Sequence, residues 1–343
     1  MNQSSALNNS MDNVSETSNP FLGRRGLWYG ALLAVTLIPL LGLPMANGLE
    51  LPFRESFLIG LGVFVGGVCH VASTITFYFD GEARTIMNGM KARFYMLPTA
   101  VIAVCVLAVA LGSQLAIPIN AVLLIFFAHL IWLYYHYQKQ NYGLLAFAAA
   151  SHGGRLPSAM QYLILLPPLA GGFATIPQLL ASGLEIELPL ANWQPVLHKI
   201  SVGVYLVAAL ALLTMAWKNK KLFSQPLVLL FSLISFGFFL PGLLIENLEY
   251  AFWSYAIAHG LQYLLMVGIV SAQARLRLLT LFAFFVSAII GGWLLQRFAG
   301  NHALFICGIL LTWVHFILDA RLWRMRDSAV RPYLRKRFAF IFN

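Results

Sequence analysis

Two histidines lie inside one apolar, aromatic-rich stretch, Phe126 to Gly143, which reads FFAHLIWLYYHYQKQNYG. His129 and His136 are seven residues apart, and at about 100° per residue a helix returns them to nearly the same face. Gln140 extends that polar stripe toward Lys139 and Asn141. An ionisable side chain in an apolar segment is costly to bury, so it is first a candidate functional residue. Three further apolar stretches each carry an internal histidine: His70, His259 and His315. Imidazole binds zinc, copper, iron and nickel alike. If these five groups converge, metal binding is the chemistry to expect.

Each of the other three histidines has informative neighbours. Gly62, Gly66, His70 and Thr74 recur every four residues and share a helix face. Small residues let helix backbones approach closely in a membrane, so this face should press His70 against a neighbouring helix. In SYAIAHGLQYLL, His259 has Tyr255 and Tyr263 one turn away on either side, with Gln262 nearby and Gly260 allowing close approach. Hydroxyls so placed can orient a metal-bound imidazole. In TWVHFILDARLWRMRD, His315 and Asp319 are four apart, a spacing suited to carboxylate–histidine pairing or joint ligation.

Taken singly, each histidine also reads as a structural residue bonded to a backbone carbonyl, and Asp319 as the partner of a nearby arginine. Five histidines on four segments, several on polar stripes, tip the balance toward a metal or cofactor centre. Its candidate ligands are His70, His129, His136, His259, His315 and Asp319. A carboxylate beside several imidazoles in apolar surroundings favours iron over copper or zinc, with haem as the alternative cofactor. His152, His198 and His302 fall near segment ends and read as interfacial residues.

The elements that must position these groups are membrane helices. The chain of 343 residues is 60% hydrophobic and 10% charged, with mean hydropathy +0.77; a soluble chain would carry about 25% charged residues. Crossing a hydrocarbon core of about 30 Å takes roughly 20 apolar residues. About ten segments qualify, at about 27–46, 56–79, 94–112, 117–138, 160–181, 196–217, 226–245, 252–272, 276–296 and 303–322. The fold class is therefore all-α, a polytopic helical bundle. Residues 1–22, rich in Asn and Ser, read as a disordered cytoplasmic tail, 23–326 as one transmembrane domain, and 327–343 as a basic cytoplasmic tail. No internal repeat is evident.

The net charge of +10 would suggest nucleic acid in a soluble protein. Here the basic residues cluster between apolar runs, which is the positive-inside pattern, and nucleic-acid binding is set aside. Arg24, Arg25, Arg84, Lys91, Arg93, Lys139, Arg155, Lys218, Lys220, Lys221, Arg275, Arg277 and the basic C-terminal stretch all fall on one side of a ten-span arrangement. Glu185, Glu187, Glu246 and Glu249 fall mostly on the other. Both termini are then cytoplasmic, in a protein of a bacterial inner membrane.

Two stretches are irregular. Residues 140–158 are expected to form an interfacial or re-entrant helix, short and closed by Gly153 and Gly154. The run from 160 contains Pro167, Pro168, Gly171, Gly172 and Pro177, and should bend or break. Counted along each helix from the cytoplasmic edge, His315 lies about 9 Å in, His70 and His129 about 15 Å, and His259 on the order of 24 Å, the outlier of the set.

Cys69, Cys105 and Cys307 lie within apolar runs without CxxC spacing, so neither a disulfide framework nor a thiolate zinc site is indicated. The sequence has no HExxH, P-loop, GxSxG or dinucleotide fingerprint, nor the paired histidine boxes of membrane desaturases. In general design, histidines scattered over separate helices of a small polytopic protein, the chain resembles the bacterial membrane-bound carotene-cleaving dioxygenases. The likeness is architectural and assigns no residue a role.

The expected function is that of a multi-histidine integral-membrane metalloenzyme. Its activity would be that of an iron-dependent oxygenase, hydroxylase or desaturase, acting on a lipid or isoprenoid that enters between helices. Membrane lipids, an apolar small molecule and an electron donor are the partners this implies. Alternatives are a haem-binding electron-transfer protein or a proton-coupled transporter using the same histidines and Asp319 as a relay.

Overall fold

Backbone polar groups must be satisfied within the segment itself when no water is present, and a helix does this. The computed structural model describes residues 25–46, 62–111, 119–184, 193–245, 247–274 and 302–342, with isolated positions besides. It is 86% helix, with no strand among the described residues. The N-terminal stretch 1–22, the start of the segment at 56–79 and almost all of the segment at 276–296 lie outside them.

Helix α1 (Arg25–Ala46) comes first. A π-helical segment, Gly62–Cys69, runs into α2 (His70–Ser73) and α3 (Thr76–Phe79). After α4 (Gly81–Asn88), a second π-helical segment, Ala92–Met96, leads into α5 (Leu97–Leu111). Then follow α6 (Ile119–Ala150), α7 (Met160–Leu163), α8 (Leu166–Leu184) and α9 (Gln194–Lys218). Short α10 (Lys220–Phe223), α11 (Pro226–Gly237) and α12 (Pro241–Leu244) precede the long α13 (Leu248–Ala272). The chain closes with α14 (His302–Leu322), α15 (Arg331–Arg337) and α16 (Ala339–Phe342).

Among the described residues, five stretches are long and apolar enough to cross a membrane: Arg25–Met45, Asn120–Ala150, Met160–Ala181, Gln194–Lys218 and Leu248–Ala272. Gly81–Asn88 with Ala92–Leu107, bent by 111°, makes a sixth if counted as one span. These helices differ in depth within the bundle. In the most apolar window of α13, 72% of residues are buried, against 11% for α9. The α9 face carrying Leu206, Val207, Leu210, Leu213 and Trp217 is exposed, a stripe that suits lipid rather than water. The central position of α13, packed on α1, α8 and the Gly62–Cys69 segment, makes it the scaffold of the site.

The interfacial or re-entrant helix expected after Gln140 is not a separate element. Instead α6 continues unbroken to Ala150, because Leu144, Leu145, Phe147, Ala148 and Ala149 are buried in the main core cluster. It ends where Gly153 takes a left-handed φ of 68°. The Gly154 N–H then returns to the Ala149 carbonyl at 2.9 Å and the Gly153 N–H to that of Ala150 at 3.1 Å, a glycine-dependent helix stop. The expected break in the proline-rich run falls at Ile164–Leu165, between α7 and α8. Pro167 and Pro168 have no N–H to give the carbonyls one turn earlier.

The basic C-terminal stretch, set apart on charge alone, folds back onto the bundle. Tyr333, Leu334, Phe338, Phe340 and Ile341 are buried, while Arg335 and Lys336 between them stay exposed. Arg337, only 2% exposed, pairs with Asp80 at 2.9 Å, and the Tyr333 hydroxyl donates to the same carboxylate at 2.9 Å. Arg337 also donates to the Gln273 carbonyl beyond α13. Asp80 in turn caps α4 by accepting from the Glu82 N–H at 3.0 Å. Breaking a buried ion pair from one side typically costs about 3–5 kcal/mol. This latch therefore fastens α15 to the end of α3, in the stretch that follows His70, and to the end of α13, which carries His259.

Candidate metal centre

The site begins with a glycine contact. A Cβ added to Gly66 would lie 2.5 Å from the Ala256 backbone carbon, and one added to Gly260 would collide with the Val65 carbonyl oxygen. The two backbones touch there, which only glycine on each side permits. This crossing delivers the first pair of imidazoles. His70 follows the π-helical segment and His259 precedes Gly260, and their rings meet edge to face with centroids 4.9 Å apart.

Two more rings close the figure. His136 of α6 stands 4.9 Å from His259 and 5.1 Å from His315 of α14, and His315 stands 4.9 Å from His70. Four imidazoles from four separate helical elements thus form a closed ring, each edge-on to its neighbours. Their exposures are 1%, 8%, 0% and 1% for His70, His136, His259 and His315.

Six of their eight ring nitrogens are left without partners. Both ring nitrogens of His70 and of His259, and Nε2 of His136 and of His315, are buried with no hydrogen bond of good geometry, although the Val65 carbonyl lies beside the His70 ring. An unsatisfied buried polar atom costs about 1–3 kcal/mol, so a cluster of them calls for a ligand. One ligand atom from each of His70, His259 and His315 lies within 4.8 Å of the others, and the same holds for His136, His315 and Asp319. His315 belongs to both groups. The donor set is four imidazoles and a carboxylate, which fits a transition-metal ion.

Asp319 is 6% exposed and held from one side, where the Tyr263 hydroxyl donates to Oδ1 at 2.8 Å. Its Oδ2 faces His315 Nε2 at 3.6 Å. Thr74, in the turn between α2 and α3, contacts His315 Nδ1 at 2.7 Å and the Tyr263 hydroxyl at 2.9 Å. Behind His259, Gln140 donates to its backbone carbonyl at 3.1 Å and to Gln262 at 2.8 Å. Gln262 reaches Thr36 of α1 at 2.7 Å.

Of the six candidate ligands, His70, His136, His259, His315 and Asp319 come together and His129 does not. His129 does share a face with His136, but the seven-residue rise of about 10.5 Å leaves room for a ring between them. Phe316 fills it, stacked on His136 at 4.1 Å and on His129 at 6.2 Å. His129 Nδ1 is instead engaged by the Trp313 indole N–H at 3.2 Å.

The outlying depth expected for His259 is corrected, since its ring touches those of His70 and His136. Sequence reasoning had no signal for Phe316 as a spacer. It also passed over Tyr137, whose ring lies 4.4 Å from that of His259 and which adjoins His136 in sequence. Tyr263, expected beside His259, directs its hydroxyl to Thr74 and Asp319 instead.

No protein-family model, curated protein or solved structure matches this chain.

Proposed function

We propose that the chain is an integral-membrane metalloenzyme in which His70, His136, His259, His315 and Asp319 hold a transition-metal ion. The observation that carries this reading is the closed ring of four buried imidazoles, six of whose ring nitrogens have no partner. Iron is favoured over copper or zinc because a carboxylate joins the imidazoles. Bound iron would supply one-electron and oxygen chemistry. The reaction class is then oxygenation, hydroxylation or desaturation of a lipid or isoprenoid entering from the bilayer, with an electron donor where the reaction requires one. Tyr137 and Phe316 pack against the ring and keep water from it. Haem fits less well: two axial imidazoles need a flat macrocycle-sized slot between them, and here the other two imidazoles and Phe316 occupy that space.

The purified full chain, prepared without chelator, should carry a near-stoichiometric metal by elemental analysis, and His129→Ala should retain it. Absence of metal from the wild type would remove this reading.

The proposed topology has about ten spans with both ends inside. It draws support from which loops meet. Arg25, at the start of α1, bonds Ser151 after α6. Trp28 of α1 packs on Phe338 of the C-terminal stretch, and Arg337 reaches Asp80 and Gln273. Ends that the charge pattern assigns to one side thus lie together. A reporter active only in the cytoplasm should work when fused after Lys221 or Asn343, whereas activity of a periplasm-only reporter there would overturn the arrangement.

A further inference from the structure

We infer that Thr74 and Tyr263 are positioning residues that transmit the charge of Asp319 to His315 and fix which of its ring nitrogens faces the metal. The inference rests on the metal-centre reading and deepens it.

Three hydrogen bonds in series carry the argument: His315 Nδ1 to Thr74 Oγ1 at 2.7 Å, Thr74 Oγ1 to the Tyr263 hydroxyl at 2.9 Å, and that hydroxyl to Asp319 Oδ1 at 2.8 Å. All four side chains are buried, and they come from α13, α14 and the turn after α2. Beside a cation Asp319 is a carboxylate and can only accept. Tyr263 has a single hydroxyl hydrogen and gives it to Asp319, so at Thr74 it accepts. Thr74 likewise has one hydrogen and gives it to Tyr263, so at His315 it accepts. Nδ1 must then carry the imidazole hydrogen, and Nε2 of the neutral ring presents a lone pair. The chain of donors has one direction, and the carboxylate sets it.

The other end of the same carboxylate completes the case. Oδ2 of Asp319 faces Nε2 of His315 at 3.6 Å, too far for a hydrogen bond. With the tautomer so fixed, Nε2 and Oδ2 both present lone pairs across that gap, the disposition that two ligands of one cation take. Two donors each about 2.1 Å from one ion stand about 3.0–3.5 Å apart at octahedral to tetrahedral angles, close to the observed separation. Thr74 and Tyr263 therefore prepare a nitrogen and an oxygen to bind the same ion, without touching it themselves.

The test uses the detergent-purified full chain loaded with Cu²⁺ alone, read by electron paramagnetic resonance and by titration. Wild type should give a spectrum with imidazole nitrogen couplings. Thr74→Val, nearly the same shape without the hydroxyl, should weaken Cu²⁺ binding about 10–100-fold and alter the nitrogen couplings. Tyr263→Phe should do the same. Thr74→Ser keeps the hydroxyl and should restore both wild-type affinity and spectrum, which a purely packing role for the Thr74 methyl would not allow. A Thr74→Val spectrum and affinity equal to wild type, or Thr74→Ser no better than Thr74→Val, would overturn the positioning role while leaving the metal centre standing. A wild type that binds no Cu²⁺ through nitrogen would bring down the centre itself, and this inference with it.

Discussion

His315→Ala is expected to abolish metal binding, taking metal per chain from near stoichiometric to background. His315 is the one residue common to both groups of converging donors, His70 with His259 and His136 with Asp319. Without it, neither group keeps three donors. Loss of an orienting partner alone typically lowers metal affinity about 10–100-fold, and loss of a direct donor shared by every triad should exceed that. His136→Ala leaves His70, His259 and His315 in place and should lower affinity less. Membrane insertion follows from the apolar runs, so both variants should still insert and elute as single species. Elemental analysis of the variants, read with the elution profile, decides the matter. Wild-type metal content in a monodisperse His315→Ala preparation would exclude His315 as a ligand.

A second large effect is expected from a single methyl group at the helix crossing. Gly66→Ala would place its Cβ 2.5 Å from the Ala256 backbone carbon, where no side chain can yield. The Gly62–Cys69 segment and α13 would have to separate, and His70 and His259 with them. Overpacking of this kind costs about 1–3 kcal/mol, occasionally more. The expected outcome is a lower thermal unfolding temperature in detergent together with lost metal. Gly67 is the control: a Cβ added there meets nothing within 4 Å, so Gly67→Ala should behave like wild type. Similar unfolding temperatures and metal contents for the two alanine variants would show that the crossing does not set the site.

The contrast between His129 and His259 separates what the sequence determined from what the tertiary structure decided. Sequence alone determined the helical class, because apolar runs of this length have no other way to satisfy their backbones. It also determined angular position about each helix: the i, i+4 pairing of His315 with Asp319 and the stripe from Gly62 through Gly66 and His70 to Thr74 follow from the helical repeat. Axial register between helices is another matter. It depends on where two particular backbones touch, here at Gly66 and Gly260, and on breaks such as the one ahead of Pro167.

That register placed His259 against His70 despite its sequence-derived depth. It also let Phe316 stand between His136 and His129, although both lie on one face. The same holds for the ends of the chain's elements. Charge marked Arg335, Lys336 and Arg337 as a solvated tail, yet Arg337 is drawn in by Asp80, a partner 257 residues away that no local pattern reveals. Periodicity is a property of one helix, whereas a metal centre shared by several depends on how far each has slid along its neighbours, and only the packed side chains fix that distance.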